Sequence, residues 1–67
     1  MSLVKVIEVL AQSETSYEDA VQQAVTEASI TVRNIKSVYV KEFQAVVEND
    51  KVTAYRVTAK ISFLVER

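Results

Sequence analysis

The sequence predicts an α+β fold of order β-α-β-β, with one helix packed on a three-stranded antiparallel sheet in the spatial order 1-3-2. Three observations predict it. Tyr55, Val57, Ala59, Ile61, Phe63 and Val65 alternate with Arg56, Thr58, Lys60, Ser62 and Leu64, the period of a long strand with one apolar face. Tyr17, Ala20, Val21, Ala24, Val25, Ala28, Val32 and Ile35 recur at three- and four-residue steps, the period of a helix with one apolar stripe. Glu48-Asn49-Asp50-Lys51 separates two β-rich runs with the two non-glycine residues best suited to positive φ.

The first strand is expected over Leu3–Ala11, where Val4, Val6, Ile7, Val9 and Leu10 give β-branched density around Lys5 and Glu8. A polar connector, QSETS, leads into the helix. Ser16 is a good N-cap and Asp19 completes a capping box; Thr15 with Glu18 offers the same frame one residue earlier. Glu18 and Asp19 also place negative charge where the helix dipole favours it. The helix is expected to run to about Arg33, with Asn34 as its C-cap because no glycine closes it. A second strand is expected over Lys36–Val47 and a third over Val52–Glu66. The third, being the longest and most regular, is expected at the sheet centre, its oily face under the helix's Ala/Val stripe.

Composition removes several function classes. The chain has no Gly, Pro, Cys, His or Trp in 67 residues. Without Cys or His there is no thiol nucleophile, no imidazole base and no ordinary zinc or iron site. Without Gly there is no glycine-rich phosphate loop. No nucleophile–base pair is visible, so the chain reads as a binding or assembly module and not as an enzyme. Eight basic and nine acidic side chains are interspersed, for a net charge of −1, which gives no footprint for nucleic acid. No apolar run reaches the roughly 20 residues of a membrane span, and the N-terminus has no signal-peptide core, so the cytoplasm is the default location. Residues 1–67 are read as one domain. A chain this short buries only about 60% of its unfolded surface, yet 49% of its residues are hydrophobic. Disulfides are excluded, so oligomerisation is the expected way to bury the excess.

Few residues carry chemistry. Glu8, Glu27 and Glu42 are the candidate metal ligands: each is isolated in sequence, and each is more simply a solvated or ion-paired residue. In an assembly, copies of one Glu can gather at a symmetry axis and hold a hard cation such as calcium, which takes oxygen ligands. Arg56 is mid-strand, opposite the oily face. It is read as a cross-strand partner for Glu42 or Glu48, or as a residue reaching into an intersubunit pocket. Tyr39, Phe43 and Tyr55 are read as core or interface packing, since three Tyr and two Phe without a basic patch make no nucleic-acid platform.

The strand KVIEVLAQS, the helix opening TSYEDAVQQAVTEA, the junction TVRNIKSVYV and the final strand AYRVTAKISFLVE together resemble the dodecin family. The likeness covers Val4 to Glu66 and includes the phrase V-T-x-K-[IV]-x-F in the third strand. It implies a hollow homododecamer and a role in flavin storage or quenching, not redox catalysis, with flavins bound in pairs at subunit interfaces. Flavin dodecins stack the ring on a Trp at the start of the second strand and bond its edge with a Gln in the third. The matching positions here are Ser37 and Arg56. Ser has no π-face, and Arg has donors only. The sequence is therefore similar to the non-flavin branch, which includes calcium-binding members. Flavin is expected to bind weakly or not at all; the sequence does not name the ligand, and calcium or another hard cation, or a small molecule, is a candidate. The alternative is a flavin-binding dodecin with an altered pocket, Arg56 lying over the ring or on a phosphate.

Overall fold

A computed structural model of the chain describes residues 3–65. Four elements follow in order: β1 (Leu3–Ser13), α1 (Tyr17–Thr31), β2 (Ile35–Glu48) and β3 (Lys51–Val65). They form the predicted β-α-β-β arrangement, a three-stranded sheet of order β1-β3-β2 in which both outer strands pair antiparallel with β3. The alternation of β3 is borne out: Val57, Ala59 and Ile61 are buried beneath the helix, together with Ala20 and Ala24 from α1.

The boundaries differ where local chemistry outweighs periodicity. β1 continues two residues past Ala11, because Ser13 remains paired with Tyr55. The helix stops at Thr31, short of the expected Arg33. Val32 is extended (φ −123°, ψ 136°) while its N–H still donates to Ala28 O at 2.9 Å. β-branched Thr31 and Val32 favour this early exit. Asn34 does take positive φ, 61°, but beyond the cap: it turns the chain into β2, and its carbonyl accepts from the Leu64 N–H at 3.0 Å. Glu66, the expected end of the third strand, lies outside the described residues.

The hairpin turn forms as expected, with Asn49 at φ 51° and Asp50 at φ 63° between Glu48 and Lys51. β1 pairs with β3 without interruption. The β2–β3 register shifts three times, between Ile35 and Ser37, Val40 and Glu42, and Val46 and Val47. Each shift re-aims the residues beyond it.

The core is thin. Of the buried apolar residues Ala20, Ala24, Ala54, Val57, Ala59 and Ile61, only Ile61 and Val57 are large and fully enclosed. A 15-residue helix rises about 22 Å, whereas a 15-residue strand spans about 50 Å, so α1 covers less than half of β3. The molecule is accordingly a slab of 52 × 19 × 14 Å with a radius of gyration of 13.7 Å, against about 11 Å for a compact chain of this length. Its accessible surface is 5085 Å², against about 4200 Å² for a typical monomer of its mass.

Candidate functional site

The sheet face away from the helix carries most of the singled-out residues. Residues of β3 opposite the core on this face are Arg56, Thr58, Lys60 and Ser62, and the register sets their neighbours in rows. Gln12 and Gln44 flank Arg56. Leu10 and Glu42 flank Thr58. Glu8 and Tyr39 flank Lys60, and Val6 and Ser37 flank Ser62. The shift at Lys41 keeps both halves of β2 contributing: Ser37 and Tyr39 before it, Glu42 and Gln44 after it.

Ser37 and Arg56 therefore share a face but do not meet. Ser37 is bonded through its hydroxyl to that of Ser62, whose Oγ is also 3.4 Å from the Ser37 carbonyl. Arg56 lies six residues along β3, roughly 20 Å away at strand rise. Its partner corrects the expectation from sequence. Nε donates to Gln12 Oε1 at 2.7 Å, while Glu42 stands opposite Thr58, and Glu48 opposite Lys51 accepts from the Thr53 hydroxyl at 3.1 Å. The sheet places an amide, not a carboxylate, beside the guanidinium, because β1 outruns its predicted end and brings Gln12 alongside.

The three candidate glutamates are also apart. Glu8 is 3.7 Å from Lys41 Nζ, with both side chains about half exposed, the sole ion pair among the described residues. Exposed pairs of this kind contribute about 0–1 kcal/mol. Glu42 is across the sheet and one row away. Glu27 is on α1, where it lines a groove of about 240 Å³ with Val9, Ala11, Gln23 and Ala24 beside β1. Among the described residues no group of three or more His, Cys, Asp or Glu could hold a metal. A hard-cation site built on these carboxylates requires oxygen ligands from more than one copy of the chain.

The aromatic residues divide between the faces. Tyr17 meets Phe43 and Tyr55 edge-on, with ring centroids 5.2 and 5.0 Å apart, closing the end of the core under the helix start. Tyr39 is on the open face and exposed, as are Val4, Val6 and Leu10.

One polar centre was not anticipated. Ser13 is the buried polar side chain of the described residues. Its Oγ donates to Asp19 Oδ2 at 2.6 Å and accepts from the N–H of Thr15 (2.9 Å) and of Ser16 (3.4 Å). Gln23 Nε2 donates to the same Asp19 oxygen at 2.5 Å. The donor hydroxyl of Ser13, then the Gln23 amide, hold the Asp19 carboxyl below its ordinary value, with desolvation opposing them weakly. The capping box is thus half formed. Ser16 Oγ accepts from the Asp19 N–H at 3.0 Å, but the Asp19 carboxylate turns to Ser13 instead of the Ser16 backbone. The signal in the sequence is Ser13 itself, two residues before Thr15, the spacing of a serine-led turn.

A family model described as Dodecin matches residues 3–66. Solved structures share the fold along nearly the whole chain. A variant of the Thermus thermophilus dodecin is 28% identical, with all of both chains covered and a TM-score of 0.94. The Streptomyces coelicolor dodecin is 30% identical, covering 98% of this chain and 94% of that one, with a TM-score of 0.93. A calcium-chelating antigen of Mycobacterium tuberculosis, described as a calcium dodecin with a novel calcium-binding site, is 31% identical over 96% of this chain and 91% of that one, with a TM-score of 0.84. No curated protein sequence matches.

Proposed function

The chain belongs to the dodecin family, and from that premise we propose that its residues 1–67 act as one domain that assembles into a hollow homododecamer. The assembly is a non-enzymatic store for a small ligand or cation, of the non-flavin, calcium-dodecin-like branch, located in the cytoplasm and independent of nucleic acid and membrane. No helix among the described residues is long and apolar enough to cross a membrane. The observation that carries the assembly is the bare sheet face. Val4, Val6, Leu10 and Tyr39 are each more than half exposed on a slab with two large enclosed core residues. Burying that face against copies of itself supplies the apolar contact that the thin core lacks.

The ligand reading rests on the two ends of that face. Ser37 and Ser62 present hydroxyls where an isoalloxazine ring would need an aromatic face, and Arg56 is already held by Gln12. The residues present do not fit a stacked flavin, and Arg56 takes up room that one would fill. The carboxylates Glu8, Glu27 and Glu42 supply only oxygen ligands and converge only between copies, which suits a hard cation. Native mass spectrometry tests both parts at once, giving subunit number and bound mass.

One observation favours a second reading, flavin binding in an altered pocket. Gln12 and Gln44 flank Arg56, so amide donors and acceptors persist in the row that matches the ring-edge position. Quenching of riboflavin fluorescence by the protein decides between the two.

A further inference from the structure

β1 is an edge strand, paired with β3 on one side only. Which of its backbone groups are open follows from one hydrogen bond. The Leu64 N–H points to Asn34, toward β2. Alternation along β3 then turns the amides of Phe63, Ile61 and Ala59 toward β1, where their register partners are Lys5, Ile7 and Val9. The intervening residues Val4, Val6, Glu8 and Leu10 direct their N–H and C=O groups to the open side. A row of unpaired strand amides is a template for another strand. Proteins usually blunt such an edge with charged side chains, a bulge, a proline or a short strand, and of these β1 carries only the charges of Lys5 and Glu8. The outer edge of β2 is broken by register shifts, whereas β1 runs regular for 11 residues without proline or bulge.

We propose that β1 pairs antiparallel with β1 of a second copy across a two-fold axis at Ile7, joining the two sheets into one. The proposal rests on the assembly reading above and names one of its contacts. Three two-fold registers bring the centres of the strands together, and charge separates them. An axis at Glu8 sets that carboxylate against itself, which is repulsive. An axis at Val6 sets Glu8 against Val4 and leaves Lys5 opposite Ile7, so neither charge gains a partner. An axis at Ile7 sets Val4 against Leu10 and Val6 against Glu8, each twice, on the open face, where Glu8 keeps Lys41 of its own chain as partner. It also sets Lys5 opposite the partner's Val9, whose flank is the groove that carries Glu27. Lys5 and Glu27 are both exposed and are in no ion pair among the described residues. The two-fold axis makes two such Lys5–Glu27 contacts. This self-complementarity is why the occupant is a second copy and not an unrelated extended peptide.

The absence of cysteine makes the test direct, since Ile7→Cys is then the sole thiol. Ile7 uses its amides on β3, so across the axis it forms a non-hydrogen-bonded pair with Cα atoms about 4.5 Å apart, within disulfide reach. Mild oxidation should convert the variant to a covalent dimer that a thiol reductant reverses, while Val52→Cys at the hairpin end stays reduced and monomeric on a denaturing gel. Ile7 is half-buried, so charge reversal at exposed positions provides an independent arm. Lys5→Glu should raise the concentration for half-dissociation by on the order of tenfold, and Glu27→Lys in the same chain should restore it. A folded Ile7→Cys assembly without the disulfide, or a Lys5→Glu assembly as tight as the wild type, overturns the pairing while the assembly reading stands; the edge is then covered by another strand or by solvent. A monomeric wild type overturns both.

Discussion

Replacing Ser13 by Ala should be the most informative single change at the strand–helix junction. Ser13 is 4% exposed, and its hydroxyl makes three contacts: it donates to Asp19 Oδ2 and accepts from the Thr15 and Ser16 N–H groups. Ala leaves two backbone donors without that acceptor and removes the leading donor to the carboxylate. Unsatisfied groups at a part-buried site cost about 1–3 kcal/mol in all. For a domain of this size each kcal/mol lowers the melting temperature by about 4–8 °C. The effect must also depend on pH, and the sign is set by Asp19. Its folded value is depressed below the ordinary 3.8. The stabilisation is therefore present above 3.8 and is lost as pH falls from there through the lower folded value. Ser13→Ala removes the larger cause of the depression, so wild type and variant should differ most at neutral pH and less in acid, where only the loss of the acceptor for the Thr15 and Ser16 N–H groups remains. Circular-dichroism melts at pH 7 and at stepped pH below 4 measure this. Melting temperatures within 1 °C at pH 7, or acid limbs that stay parallel, would show that the Ser13 hydroxyl does not hold this junction.

Three further outcomes follow from the same geometry. Ile61→Ala, at one of two large enclosed core positions, should cost about 2–5 kcal/mol and leave little cooperative unfolding in denaturant titrations, because a domain of this size has only about 3–10 kcal/mol in total. Arg56→Ala should weaken assembly or lower the melting temperature clearly more than Lys51→Ala, since Arg56 is half-buried and bonded to Gln12 while Lys51 is exposed at the hairpin; equal small shifts with the oligomer intact would make Arg56 a solvated strand residue. Ser37→Trp combined with Arg56→Gln should raise riboflavin affinity at least tenfold in fluorescence quenching, whereas submicromolar binding by the unmodified protein would show that the pocket needs neither residue.

Much of the fold is legible because β3 and the hairpin obey simple rules. The alternation from Tyr55 to Val65 marks the central strand, and Asn49-Asp50 supplies positive φ without glycine. The helix end is not legible. The three- and four-residue stripe continues through Val32 and Ile35, but those residues are apolar because they belong to the connector and to β2. Strand two resists parity for a physical reason: the shift at Lys41 swaps odd for even, so Ser37 and Tyr39 share a face with Glu42 and Gln44. The same shift frees Lys41 to reach Glu8 across the sheet. Of the candidate site, the place of Arg56 opposite the oily face of β3 is readable, while the Gln12 contact depends on β1 running to Ser13. The Asp19–Ser13 bond is hidden behind a capping signature that predicts the right N-cap and the wrong partner for the carboxylate.

The proposed assembly requires this slab to be stable as one part of a closed shell. Native mass spectrometry of the purified protein tests it most directly. A homododecamer gives a dominant species of about 90 kDa, twelve times the 7.5 kDa chain, with any bound cation or small molecule as added mass. A folded, stable species at 7.5 kDa at micromolar concentration would contradict it.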